Sequence, residues 1–176
     1  MRQLPSYAAS GISQSRPKQI VLIDTDIGYD IDDALALALA LHSPELDVQA
    51  VTTVFGNTHQ RARLAAHLLA VFGREDIPVA AGVKIPIQPR QRPSGVPQAA
   101  ILDDHAEFPT LSTLSGPELI IQTAQAHQGQ LTLLCLGPLT NVAKALNSEP
   151  NLFMAIRSIV MMGGTSSWPL PEWNIR

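Results

Sequence analysis

Residues 19 to 42 read QIVLIDTDIGYDIDDALALALALH. The run IVLID is β-branched and apolar, which suits a buried strand, and it ends on an acidic stretch. DDALALALALH follows at once, and its Ala and Leu content favours helix. That helix is apolar on nearly every face, so burial on all sides is expected. Asp32 or a neighbour is expected to cap its first turn and favour it through the helix dipole, and Ser43 with Pro44 ends it.

Outward from this unit the same alternation continues. DVQAVTTVF reads as a second strand, Gly56 and Asn57 as its turn, and Thr58 as the cap of a helix THQRARLAAHLLAVF that stops at Gly73. IPVAAG reads as a third strand, before a Pro-rich stretch from Lys84 to Pro109 with few periodic signals. A helix from Gly116 to His127, a strand LTLLCL, a turn GPLTN into helix VAKAL, and a strand SIVMMGG complete the pattern. Strands that alternate with helices and run apolar throughout indicate a parallel sheet covered on both faces. The expected fold is therefore α/β: an open, mostly parallel, doubly wound (Rossmann-like) sheet. Its single domain should span 19–176, behind a flexible polar leader at 1–18. In such sheets ligands bind beyond the carboxyl ends of the strands, where four polar clusters fall: 24–33, 56–57, 137–141 and 163 onward.

Composition narrows the partners. The chain is 176 residues long with a formal charge of -3 and no run of like charges, so nothing in it attracts nucleic acid or an anionic membrane. A small molecule is the expected partner. The lone cysteine, Cys135, lies in an apolar run and reads as a buried, inert thiol. With no secretory signal and no clear membrane span in the sequence, a cytoplasmic location is expected.

The chemistry is concentrated in DTDIGYDIDD, where five aspartates occupy ten positions after the first strand. Packed together they repel unless protonated or neutralised by a cation. A hard ion bound through oxygen is the economical answer, Ca²⁺ or Mg²⁺, since no histidine or cysteine lies near in sequence. The plainer alternative is a solvated acidic loop with a helix cap at Asp32. An EF-hand does not fit, because Tyr29 and Leu35 stand where its loop needs Gly and Glu.

The stretch Asp24-x-Asp26-x-Gly28 with Asp32-Asp33-Ala34 resembles the hallmark of the inosine-uridine preferring nucleoside hydrolase family. The likeness continues through VTTVFGN (51–57), DIPVAAG (76–82), LGPLTNVAKAL (136–146) and IVMMGG (159–164). It implies metal-dependent hydrolysis of ribonucleosides to base and ribose by a homo-oligomer using Ca²⁺, with Mg²⁺ as the alternative. It further implies that Asp26 contacts the metal and acts as the base toward water, and that Asp33 and the Leu136 carbonyl are further metal ligands. Asp32 and Asn57 would bond the ribose hydroxyls, joined by Glu172 and Asn174 of EWN. The chemistry agrees, since an oxocarbenium-like state needs a nucleophilic water and carboxylates that offset positive charge on the sugar.

The pattern departs from the family in three places. Three residues, Tyr29, Asp30 and Ile31, separate Gly28 from Asp32 where the family has one, so either Asp30 or Asp32 is the ribose-facing carboxylate. The segment 164–172 lacks a Gly-Asn pair, leaving Ser166 or Ser167 as the substitute. The resemblance also implies a second half with a His-Asp pair beyond Arg176. Two rival readings follow: a catalytically inactive nucleoside-binding or ribose-binding truncated homologue, and a Mg²⁺-dependent phosphatase of the haloacid dehalogenase type with Asp24 as nucleophile. His42, His59, His67 and His127 read as surface or core residues, His105 as solvated loop, and Asn141 as the tie of a turn.

Overall fold

A computed structural model describes residues 17–88, 93–103, 105–164 and 174. Apart from Pro17 and Lys18, the expected leader lies outside them. The elements are β1 (Gln19–Thr25), α1 (Asp32–His42), β2 (Leu46–Thr53), α2 (Thr58–Val71), β3 (Val79–Ala81), a 3-10 turn (Pro97–Ile101), α3 (Gly116–Ala126), β4 (Leu131–Cys135), α4 (Thr140–Ser148), α5 (Leu152–Ala155) and β5 (Ile156–Met161). The strands form one sheet in the order β3-β2-β1-β4-β5, and every pairing is parallel. The expected doubly wound α/β sheet is what forms.

Strand alternation divides the core in two. Val21 and Ile23 of β1 point to the face covered by α1 and α2, while Leu22 points to the face covered by α3, α4 and α5. The chain winds outward from β1 to β3, then returns to lay β4 on the other side of β1. The carboxyl ends of β1 and β4 therefore flank the point where winding reverses, the place where a sheet of this kind opens a crevice. None of the described helices is long and apolar enough to cross a membrane.

Three local expectations need correction. Helix α1 is not buried all round: Leu37 is 0% exposed, but Leu35 and Leu39 are 61% and 70% exposed. Leucines at every second position step 200° around a helix, so they cannot share one face, and the sheet covers only the stripe of Asp33, Leu37 and Ala40. No side-chain cap forms at its start: Ile31 holds the N-cap position, and Asp32 and Asp33 lie in the first turn. The cap of α2 is Asn57 rather than Thr58; its Oδ1 accepts the Gln60 N–H at 3.2 Å. The Thr58 hydroxyl instead donates to the Gly82 carbonyl at 3.0 Å, tying α2 to the end of β3.

Parts of the Pro-rich stretch are anchored. Within it Gln98 reaches the loop after β1 through main chain and side chain, and just after it Thr110 and Ser112 bond the main chain of Val79 at 2.8 Å on either side. Replacing Leu37 by Ala should lower the unfolding free energy by about 2–5 kcal/mol, as cavity formation requires. Leu39→Ala should change it by less than about 0.5 kcal/mol. Urea denaturation of the two variants checks this, and equal losses would contradict the one-sided packing of α1.

Candidate active site at the carboxyl ends of β1 and β4

Asp24 stands opposite Thr52 of β2 and Cys135 of β4, and is 1% exposed. Its Oδ1 accepts from the Thr52 hydroxyl at 2.6 Å and from Asn141 Nδ2 at 2.7 Å, while its main-chain carbonyl accepts the Leu136 N–H at 2.7 Å. Oδ2 is buried with no hydrogen-bond partner among the described residues. Burial pushes the carboxyl up from 3.8 to about 7; the two side-chain hydrogen bonds oppose that rise, and the charges of Asp26 and Asp33 add to it. A group enclosed in this way cannot reach a substrate, which removes the reading of Asp24 as a nucleophile.

Asn141 is fully buried and completes the tie. Its amide also donates to the Thr53 carbonyl at 3.0 Å, and its Oδ1 accepts the Val83 N–H at 2.9 Å. A Cβ on Gly82 would lie 2.3 Å from that Oδ1, so only glycine fits there. Asn141 thus locks the ends of β1 and β2 to the turn after β3.

The second tier is built on Asp33, which α1 turns back toward β1. Its Oδ2 accepts the Thr25 hydroxyl at 2.5 Å and the Asp26 N–H at 3.0 Å, and Thr25 Oγ1 in turn accepts the Ile27 N–H at 3.0 Å. Burial raises the Asp33 carboxyl, against the pull of Thr25, and the neighbouring Asp32 charge raises it further. Asp26 is half-buried, with its Oδ1 against Gly137, where a Cβ would approach to 3.1 Å. Beside Gly137, the Leu136 carbonyl accepts Asn174 Nδ2 at 2.7 Å.

Asp26, Asp33 and the Leu136 carbonyl thus gather at one end of the sheet and offer only oxygen donors, which suits a hard divalent cation. The charges of Asp26 and Asp33 both act on Asp24, a repulsion that such an ion would relieve. Among the described residues no group of three or more carboxylate, histidine or cysteine side chains converges.

The other expected site residues are more peripheral. Asp30 and Asp32 are both exposed; the Asp30 carbonyl accepts Gln98 Nε2 at 2.8 Å, and Asp32 Oδ1 accepts the Asp33 N–H at 3.0 Å. Asn57 is exposed at its cap position. Glu172 lies outside the described residues, as do Ser166 and Ser167. His42 and His67 pack edge-on against Phe72 and Phe108, and His105 is exposed. Sequence reading missed Thr52, Thr25 and Arg61. Threonines at a strand end look like ordinary strand formers, and an arginine within a helix looks like a solvated one.

The Asp24 carboxyl makes stability depend on pH in a stated direction. Its folded pKa lies above the unfolded one, so the folded chain holds a proton that the unfolded chain releases near pH 4. With chelator present, the stability contributed by this proton should be lost, on the order of a few kcal/mol, as pH rises from about 4 to about 7, and level off beyond. Asp24→Asn should flatten most of that slope in a series of urea midpoints. An unchanged slope in the variant would contradict the assignment.

Comparison with known proteins accords with this geometry. The family model described as inosine-uridine preferring nucleoside hydrolase matches residues 21–176. A probable uridine nucleosidase 2 of Arabidopsis thaliana is 39% identical over 152 residues, covering 82% of this chain and 47% of the relative. The pyrimidine-specific ribonucleoside hydrolase RihA of Citrobacter koseri is 38% identical over 168 residues, covering 88% and 52%. A solved plant nucleoside hydrolase, PpNRh1, superposes with a TM-score of 0.74 at 35% identity, covering 90% of this chain and 53% of that one. The chain spans about half the length of the curated relatives it matches. It belongs to the inosine-uridine preferring nucleoside hydrolase family.

Proposed function

We propose that this site hydrolyses the N-glycosidic bond of ribonucleosides, releasing base and ribose, with Asp26 as the base toward the attacking water. The observation that carries the reading is the half-buried Asp26 carboxylate at the switch point, with its main chain bonded to Asp33 and Arg61. A divalent cation, Ca²⁺ with Mg²⁺ as the alternative, held by Asp26, Asp33 and the Leu136 carbonyl, would lower the pKa of a water and offset the carboxylate charge.

The residues themselves divide the remaining work. Asp26 accepts the proton of the attacking water, and the carboxylates oppose the positive charge that develops on the sugar. Asp32 sits in the first turn of α1 beside Asp33, whereas the Asp30 main chain is tied outward to Gln98, so Asp32 is the better placed to accept from a ribose hydroxyl. Asn57 and Glu172 add hydroxyl contacts. Asn174 steadies the Leu136 carbonyl and shares its amide with the sugar.

The relatives named for uridine and for pyrimidine ribonucleosides make uridine the first substrate to try. The same reading makes the protein a cytoplasmic homo-oligomer: Cys135 is a buried thiol, and the exposed row Ile31, Leu35 and Leu39 gives self-association an apolar surface. The partial coordination shell supports a second reading, ribose binding without turnover.

Ribose release from uridine, cytidine, inosine and adenosine by the 176-residue chain, with Ca²⁺ and with chelator, tests the proposal. Release that depends on metal is expected, and Asp26→Asn should reduce it by about 10²–10⁴-fold. Full activity in Asp26→Asn would overturn the role of Asp26. Nucleoside binding without release would support the second reading.

A further inference from the structure

Arg61 is 1% exposed and is the largest of the fully buried side chains among the described residues. A charged side chain sunk this deeply is tolerated only where hydrogen bonds replace its water. It starts on the second turn of α2, and its N–H bonds the Asn57 carbonyl at 3.1 Å. The side chain then turns back under the strand ends. Nε donates to the Phe55 carbonyl at 2.8 Å, and Nη1 donates to the carbonyls of Asp26 and of Ile27, the latter at 2.7 Å.

These three acceptors lie on two loops far apart in sequence, β1 to α1 and β2 to α2. The second loop is a strained turn. Phe55 has φ 69° and Gly56 φ 67°, so a phenylalanine is held in the left-handed region, where L-residues are uncommon. Arg61 holds the carbonyl of that residue, and its guanidinium lies 5.9 Å from the centre of the Phe55 ring. Val83 and Lys84 hold the N–H groups of Phe55 and Gly56 at 2.9 and 2.8 Å. A rigid planar fork reaches several fixed acceptors at once, which the single ammonium of lysine does less well.

We propose that Arg61 is a positioning residue that clamps the main chain of Asp26 and Ile27 to the Phe55–Asn57 turn, and so sets the spacing between the Asp26 carboxylate and the Asn57 side chain. The clamp stands on the hydrogen bonds; its bearing on metal and ribose binding rests on the function proposed above.

The test compares Arg61→Met, Arg61→Lys and a control, Arg63→Met, in the 176-residue chain. Arg63 lies on the same helix but bonds the Asp103 carbonyl at 2.7 Å, on an outer loop. Two readouts are taken: hydrogen exchange along the chain, and Ca²⁺ affinity by calorimetry. In Arg61→Met the amides of Asp26, Ile27, Phe55 and Gly56 should exchange at least about tenfold faster while β1 and β4 keep their protection. Ca²⁺ should bind about 10–100-fold more weakly, as for other losses of support behind metal ligands. Arg61→Lys should recover part of both effects, and Arg63→Met should show neither.

Unchanged exchange in both loops would overturn the proposal. So would a uniform loss of protection across the sheet, or the same local loss in Arg63→Met. If Arg61→Met does not fold, local loosening in Arg61→Lys decides in favour and its absence decides against. If the unaltered chain binds no Ca²⁺, the functional reading fails, and the exchange data still judge the clamp.

Discussion

The hydrogen bonds that converge on Asp24 hold three strands at one depth. Its carboxyl takes Thr52 from β2 and Asn141 from the start of α4, and its carbonyl takes Leu136 from the end of β4. Everything that follows β1 is aimed from this point: the Asp26 main chain lies two residues on, and Leu136 and Gly137 are set beside it. Placing an acid here opposes ordinary burial preference, since desolvation favours its neutral form. Thr52 and Asn141 reduce that cost, and apolar substitutes would lose the cross-strand tie.

A second tier rests on the first. Asp33 binds Thr25 and the Asp26 N–H from the helix side, while Arg61 takes the Asp26 and Ile27 carbonyls from below. The loop between β1 and α1 is therefore held on both sides of its main chain, with the Asp26 side chain half-buried beside Gly137. Asp30 and Asp32 fall outside this frame and are exposed. Acids close in sequence thus differ sharply in surroundings within one short segment.

How much of this is legible in the sequence depends on range. The parallel sheet follows from apolar strand runs alternating with helices, and the ligand edge follows from polar clusters at the strand ends. The burial of α1 does not follow, because Ala-Leu alternation says nothing of how many faces the fold covers; Leu35 and Leu39 are exposed for that reason. The cap of α2 shifted by one residue because Thr58 finds a partner in Gly82, a contact 24 positions away. Arg61 was invisible because its acceptors are carbonyls, which any residue type supplies. The aspartates were legible as a group, but the separation of Asp24 from Asp26 and Asp33 is set by depth below the sheet edge.

Locating a bound ion tests the account most directly. Crystals of the chain grown with a lanthanide in place of Ca²⁺ would show its position by anomalous scattering. The account requires a peak within about 2.3–2.6 Å of the Asp26 and Asp33 carboxylates and of the Leu136 carbonyl. A peak held by Asp30 and Asp32 on the outer loop, or no peak at the ends of β1 and β4, would contradict it.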